Sequence, residues 1–222
     1  MTAAVPILTR TSAFTEEIIP VAGIVPLTTV DFPEHLAMVV FTQGCPWRCS
    51  YCHNAHMRRP GLPTHWRWQQ VCDLLDCRRG FLEAVVFSGG EPTLHRRLET
   101  AIHVVRQRSF LVGLHTAGIF PERLRILLPL LDWVGLDIKA LFDEGYARLT
   151  GDLQSAAKVR ASLEMLLASG IHFQLRTTVT PDVQGEHTFE EIRRLLRRLG
   201  APEPVRQIAH PVNSVPTLET AL

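Results

Sequence analysis

Short apolar runs separated by helix-length stretches are the feature that most restricts what this chain can fold into. AMVVFT (37–42), EAVVFS (83–88), FLVGLH (110–115), WVGLDI (133–138), IHFQLRTTV (171–179) and VRQIA (205–209) read as six strands. Residues 66–79, 95–107, 121–131, 155–170 and a segment from Thr188 to Gly200 read as the five helices between them. Ser155 is expected to cap the fourth helix and Gly170 to end it, while Thr188 with Glu191 spells a capping box for the fifth. Strands this far apart need crossovers rather than hairpins, which predicts a parallel sheet with helices outside it. Six units are fewer than a closed eight-stranded barrel requires. The expected class is therefore α/β, a partial (open) parallel β/α barrel of about six strands with outer helices, with an open doubly wound sheet as the alternative. A chain of 222 residues, 46% hydrophobic, suits one domain over 1–222. Its core is expected at about 22–210, with 1–21 and 211–222 peripheral.

The polar residues of the chain collect where these strands end. Cys45, Cys49 and Cys52, in CPWRCSYCHN, follow the first strand, and Ser88-Gly89-Gly90-Glu91-Pro92 ends the second. His115-Thr116-Ala117-Gly118 ends the third, Asp137 and Lys139 the fourth, Arg176 lies late in the fifth, and His210 ends the sixth. Parallel β/α folds build their sites on the rim formed by the carboxyl ends of the strands, so these six coincidences predict one site. Asp137 and Lys139 are two apart on a strand and should face the same side. Gly89 and Gly90 lack side chains and allow close backbone approach.

Three clustered cysteines leave open the identity of a fourth ligand. Structural zinc closes a tetrahedron and would take His53 or His56. A dithiol reading would use Cys49 and Cys52 as a redox pair. A 4Fe-4S cluster on three thiolates leaves one iron free to accept a substrate or cofactor. The remaining two of the five cysteines, Cys72 and Cys77, lie roughly 140° apart on a helix and cannot complete a second cluster. An odd count with three cysteines together argues for reduced thiols rather than a disulfide framework.

CxxxCxxC with Tyr51 before its last cysteine resembles the signature of the radical S-adenosylmethionine (radical SAM) enzymes. Val30-Asp31-Phe32-Pro33, Phe41-Thr42-Gln43-Gly44-Cys45, Tyr51-Cys52-His53-Asn54, SGGEPTL, LDIKA and LRTTV resemble the activating enzymes of glycyl-radical enzymes. The branch most resembled is the anaerobic ribonucleoside-triphosphate reductase activating proteins. The resemblance implies one 4Fe-4S cluster held by Cys45, Cys49 and Cys52. It further implies S-adenosylmethionine as the fourth ligand, cleaved by one electron to methionine and a 5′-deoxyadenosyl radical. By the same resemblance Ser88, Gly89, Gly90 and Glu91 neighbour the methionine ammonium. Asp137, Lys139 and Arg176 serve the ribose and carboxylate, and Tyr51, His53 and Thr178 flank the adenine. His210 matches a histidine that some relatives place at the cofactor. Thr116 belongs to a segment that in the family more often reads aspartate-threonine-asparagine-glycine, where the aspartate helps bind a monovalent cation in some members; His115 departs from it. The implied partners are a glycyl-radical enzyme, named by the branch as the anaerobic ribonucleotide reductase, and flavodoxin or ferredoxin as electron donor. A radical enzyme acting on a small molecule or peptide shares the same cysteine loop, and a zinc-stabilised binding module is the alternative from another class.

A net charge of +1 gives no reason to expect bulk attraction to nucleic acid or to an anionic membrane. No apolar run approaches the roughly 20 residues of a membrane helix. IIPVAGIVPL (18–27) is interrupted by Pro20 and Pro26 and is not a signal core, so a cytoplasmic location is expected. Arg193, Arg194, Arg197 and Arg198 read as the solvated face of a helix, with partner docking as the alternative.

Overall fold

The computed structural model describes residues 17–64, 66–180 and 185–209. One sheet of seven strands follows the order of the chain: β1 (Val21–Thr28), β2 (Ala37–Thr42), β3 (Ala84–Gly89), β4 (Leu111–Thr116), β5 (Trp133–Asp137), β6 (His172–Val179) and β7 (Val205–Ile208). β1 pairs antiparallel with β2, and every later pairing is parallel. The sheet curls into part of a barrel, with β1 and β7 at its two edges. The expected partial β/α barrel is what forms, with seven strands in place of about six.

The additional strand is VAGIVPLT, which Pro20 just before it and Pro26 within it disguise in the sequence. Proline is tolerated on an edge strand because no ladder bond is lost there, and the register with β2 shifts between Val25 and Thr28, around Pro26. Ile19 and Val21 are buried in the main core, so the packed part of the chain begins slightly before residue 22.

The helices are α1 (Trp68–Cys77), α2 (Leu98–Arg106), α3 (Pro121–Leu127), α4 (Glu144–Thr150), α5 (Ser155–Ser169) and α6 (Glu186–Arg198). Pro129 ends α3 early in a 3-10 turn, Leu128–Leu130. Gly170 and Gly200 take left-handed backbone just beyond α5 and α6, as helix-ending glycines do. Two expected caps are corrected. Gln154 precedes α5, and Ser155 is its first helical residue with a buried hydroxyl that finds no partner. α6 begins at Glu186 after Gly185, so Thr188 falls inside the first turn and no capping box forms. α4 is a further helix beyond the expected five, capped by the Asp143 carboxylate on the Gly145 amide at 2.7 Å.

Alternation along the strands sorts the two faces of the sheet. Met38, Val40, Val85, Phe87, Val112, Leu114, Val134, Leu136 and Leu175 point outward into the helix layer and form the main core. The inner face carries a smaller apolar cluster of Val39, Ala84, Val86 and Trp133, with Phe32 inserted from the segment between β1 and β2. Phe32 packs against Trp133 with ring centroids 5.6 Å apart, so this segment forms a floor across the lower half of the barrel. Above that floor the inner face carries Ser88, His115, Asp137, Arg176 and Thr178, with Phe41 beside Ser88.

Candidate active site

The cysteine loop leaves the end of β2 and is pinned at several points. Gly44 and Cys45 donate their amides to the carbonyls of Met57 and Arg58 at 2.7 and 2.9 Å, closing the loop on itself. Gln43 is buried and its side-chain amide donates to Arg59 O at 2.8 Å. Trp47, fully buried, packs edge-on to Tyr146 of α4 and donates Nε1–H to Asp152 at 3.1 Å. The Arg48 amide donates to Thr150 O at 2.9 Å. The loop is thereby held between β2 and the α4–α5 corner. Cys45, Cys49 and Cys52 are free thiols on it, with Cys49 buried and the other two half-buried. Burial pushes the Cys45 thiol up to about 12 and raises that of Cys49, although Lys139 opposes the latter.

The glycine pair serves the same loop. A Cβ on Gly89 would lie 2.3 Å from Thr42 N, and one on Gly90 would lie 2.2 Å from Gly44 O. Only glycines allow the end of β3 to lie this close against residues 42–44, where the Gly90 and Glu91 amides donate to Thr42 O and Gly44 O. The near neighbour that the sequence could not supply is thus the backbone entering the cysteine loop. Ser88 stands half-buried just before, and its carbonyl accepts from the Thr42 hydroxyl at 3.2 Å.

Glu91 is fully buried, and its carboxylate accepts from Thr93 N and Oγ1, Thr116 Oγ1 at 2.7 Å and Ala117 N at 2.9 Å. Burial pushes this carboxyl up, and the four donors work against it. Both oxygens are engaged inside the protein, so Glu91 and Thr116 clasp the end of β3 to the end of β4.

Asp137, His115 and Arg176 share the inner face because Asp137 lies opposite Arg176 and His115 opposite Gly135 in register. Arg176 reaches Asp137 Oδ1 through Nε at 2.9 Å and Nη2 at 2.7 Å, while Lys139 Nζ reaches Oδ2 at 3.0 Å. Burial alone would raise the Asp137 carboxyl, but the two cations outweigh it and hold it well below the usual range. Burial alone would likewise lower Lys139, and Asp137 reverses that and raises it. Lys139 Nζ also stands 5.9 Å from the centroid of the Tyr51 ring, which ties this chain of charge to the cysteine loop.

His115 is buried, edge-on to Trp133 at 5.3 Å. An arginine can only donate, so His115 Nδ1 accepts from Arg176 Nη1 at 2.8 Å. Asp31 O can only accept, so the tautomer that satisfies both partners carries its proton on Nε2, which donates to Asp31 O at 2.9 Å and also lies 3.1 Å from Arg176 Nη1. Burial and the Arg176 charge push the imidazole down to about 3, so it is neutral near pH 7.

Thr178 lies further along the same face of β6, half-buried, with Oγ1 3.4 Å from Gln207 of β7. His53 is half-buried beside Cys52. His210 lies outside the described residues. The residues that sequence reasoning missed are supports: Trp47 under the loop, and Tyr146, whose hydroxyl accepts from the Lys139 amide at 3.0 Å. A tyrosine in a seven-residue helix has no pattern that marks it. A cleft of about 410 Å³ opens beside the site, lined by Ser50, Leu141, Arg148, Leu149, Thr188 and Glu191. A larger groove of about 680 Å³ between α4 and α5, around Phe142, Leu153 and Arg160, contains none of the polar set.

This donor set fits a cluster and a small polar ligand. Three thiols of one loop face a cationic chain, and the Tyr51 hydroxyl beside them is buried without a partner. Among the described residues no three His, Cys, Asp or Glu side chains gather as ligands of a single ion. The irons of a cluster each take one thiolate, so cluster ligands need not converge that tightly.

Comparison with known proteins agrees with this chemistry. The family model of the radical SAM superfamily matches residues 39–201. A Methanocaldococcus jannaschii protein provisionally named a glycyl-radical enzyme activating enzyme is 31% identical over 186 residues, covering 80% of this chain and 75% of that one. The pyruvate formate-lyase-activating enzyme of Listeria monocytogenes is 32% identical over 137 residues, covering 55% of this chain and 54% of that one. The aligned region thus spans about half the length of the Listeria relative. Among solved structures, S-adenosylmethionine-bound SuiB of Streptococcus suis superposes with a TM-score of 0.60 at 13% identity, over 78% of this chain and 40% of that one. Native anSMEcpe with bound AdoMet gives 0.58 at 18% identity, over 76% and 49%. At these identities the two likenesses concern the fold.

Proposed function

The chain belongs to the radical SAM superfamily, with a 4Fe-4S cluster and S-adenosylmethionine as the implied cofactors, and from that premise we propose that it installs a glycyl radical on the anaerobic ribonucleotide reductase. The observation that carries the radical chemistry is the placement of Cys45, Cys49 and Cys52 against the Tyr51–Lys139–Asp137–Arg176 chain at one end of the sheet. The activating role rests on similarity to activating enzymes across most of the chain. The residues matched by the superfamily lie within the expected core of about 22–210, which we take as one domain. No helix among the described residues is long and apolar enough to cross a membrane, and a cytoplasmic location suits a reductase partner.

When bound, the cofactors supply a one-electron cleavage of a sulfur–carbon bond, which ends in hydrogen abstraction from a glycine Cα of the partner. Everything else falls to this chain's own residues. Cys45, Cys49 and Cys52 would hold the cluster by three thiolates, leaving it able to accept the amino acid part of S-adenosylmethionine. Lys139 and Arg176 offer charge-assisted donors to its carboxylate. Asp137, fixed as an anion between them, orients both cations and has acceptor capacity for a ribose hydroxyl. Ser88, Gly89 and Gly90 present backbone to the ammonium group, with Glu91 and Thr116 bracing that edge. Tyr51, His53 and Thr178 line the adenine side. Flavodoxin or ferredoxin delivers the electron.

Protein purified without oxygen, reconstituted with iron and sulfide and given dithionite and S-adenosylmethionine should yield 5′-deoxyadenosine, and Cys49→Ala should not. Addition of the anaerobic ribonucleotide reductase should then yield a glycyl radical visible by electron paramagnetic resonance. 5′-Deoxyadenosine without that signal would refute the partner and leave a radical enzyme of another substrate; its absence from the wild type would refute the radical reading.

A further inference from the structure

From His35 to Cys72 the sequence contains no Asp or Glu, yet it carries Arg48, Arg58, Arg59 and Arg67 together with His35, His53, His56 and His65. This segment includes the whole cysteine loop. Arg48 and Arg59 are exposed, Arg58 is half-buried, and they flank the loop beside exposed Pro46, Ser50, His56 and Pro60. Among the described residues no ion pair is formed by Arg48, Arg58 or Arg59. Elsewhere Arg79, Arg106, Arg125, Arg160, Arg193 and Arg206 each reach a carboxylate of this chain. The loop's cations are also presented from fixed backbone. The Arg48 amide is bonded to Thr150, the Arg58 carbonyl to the Cys45 amide, and the Arg59 carbonyl to the Gln43 side chain.

A rigid loop whose own charges are all cationic is complementary to an acidic surface, and it raises encounter rates in a salt-dependent way. Arg48 lies between Cys45 and Cys49 in the chain, and Cys45 and Cys52 are only half-buried, so a partner seated on this loop comes near the three thiols. We propose that the outward face of the cysteine loop, carrying Arg48, Arg58 and Arg59, is the docking surface of an acidic one-electron carrier protein. This rests on the radical SAM reading, since only a cluster gives such a carrier something to reduce. One electron leaves the carrier, which is oxidised by one unit, and the cluster is reduced by one; no bond or proton moves. Lys139, Asp137 and Arg176, half-buried beside the cysteines, are left to the cofactor and the substrate.

The test uses anaerobically reconstituted protein and a plant-type 2Fe-2S ferredoxin as the acidic carrier. Binding of oxidised ferredoxin is measured by calorimetry, and 5′-deoxyadenosine formation is followed with either photoreduced ferredoxin or reduced methyl viologen, a small cation. The wild type should bind ferredoxin at low salt and lose affinity steeply as salt rises. Arg48→Glu/Arg59→Glu should weaken binding tenfold or more and slow the ferredoxin-driven reaction alike. The same variant should keep the viologen-driven rate, and Arg125→Glu on α3 should match the wild type in every assay. Equal ferredoxin binding by the double variant and the wild type would overturn the proposal. So would an equal loss of the viologen-driven rate, because the arginines would then serve the cofactor site. No 5′-deoxyadenosine from the wild type with viologen would instead refute the radical reading, and the binding comparison would still decide where the carrier sits.

Discussion

At the scale of single residues the inner face is organised around a histidine that cannot easily be charged. His115 accepts from Arg176 on one nitrogen and donates to Asp31 O on the other, while Trp133 covers it. A proton on Nδ1 would set two cations against each other at 2.8 Å in a buried site. The folded-state value of about 3 lies below the ordinary 6.5, so the fold binds this proton less well than the unfolded chain does. The contribution to stability is complete above pH 6.5 and is lost as pH falls toward 3, at up to about 1.4 kcal/mol per pH unit. His115→Asn keeps an acceptor for Arg176 and has nothing to titrate there. Denaturant melts at successive pH values should show the wild type losing its advantage over the variant between pH 6 and 4; parallel curves would mean that His115 is already charged or well hydrated. The sequence marked His115 as a departure, but its partner Arg176 is 61 residues away and no local pattern joins them.

Secondary elements were legible in proportion to their length and apolarity. The strands β2 to β5 are short, mostly apolar runs that suit a buried parallel sheet, β6 is the more polar HFQLRTTV, and all five are found where the sequence puts them. β1 was obscured by Pro20 and Pro26, and α4 by having only seven residues. Thr188 and Glu191 had the spacing of a cap, yet the helix starts earlier, because Phe189, Ile192 and Leu196 set its buried face and a polar motif does not override that packing. α4 nonetheless supports the site. Its Tyr146 is fully buried, and its hydroxyl accepts from the Lys139 amide at 3.0 Å and donates to Asp137 O at 3.4 Å. Tyr146→Phe removes the only atom that satisfies that amide among the described residues, a loss of about 1–3 kcal/mol by the cost of an unpaired buried donor. The backbone carrying Asp137 and Lys139 should loosen with it. Urea melts should show the lost stability, and S-adenosylmethionine should bind several-fold more weakly. Lost stability with unchanged affinity would reduce Tyr146 to a brace for the fold.

Across the whole molecule the site is not a local appendage. Cys45 to Cys52 follow β2, the glycine edge ends β3, Thr116 ends β4, Asp137 ends β5 and Arg176 belongs to β6, so five neighbouring strands of one sheet converge on it. Disrupting any of these strands removes part of the binding surface, and a ligand held there must therefore stabilise the fold as a unit. Linkage gives the size: a ligand at 100 times its Kd, with no affinity for the unfolded chain, adds about 2.7 kcal/mol. For a chain of 222 residues that is a rise in Tm of roughly 5–10 °C. The manner of holding decides which protein shows it. If S-adenosylmethionine is chelated by an iron that the protein leaves open, Cys49→Ala, lacking the cluster, should keep only what Lys139, Arg176 and the glycine edge can grip. Anaerobic melts with and without S-adenosylmethionine should then show the full rise for reconstituted wild type and little for Cys49→Ala, which itself melts lower. An equal rise in both would mean that the cofactor is bound by the sheet alone, and the free coordination site would no longer explain why the loop has three cysteines rather than four.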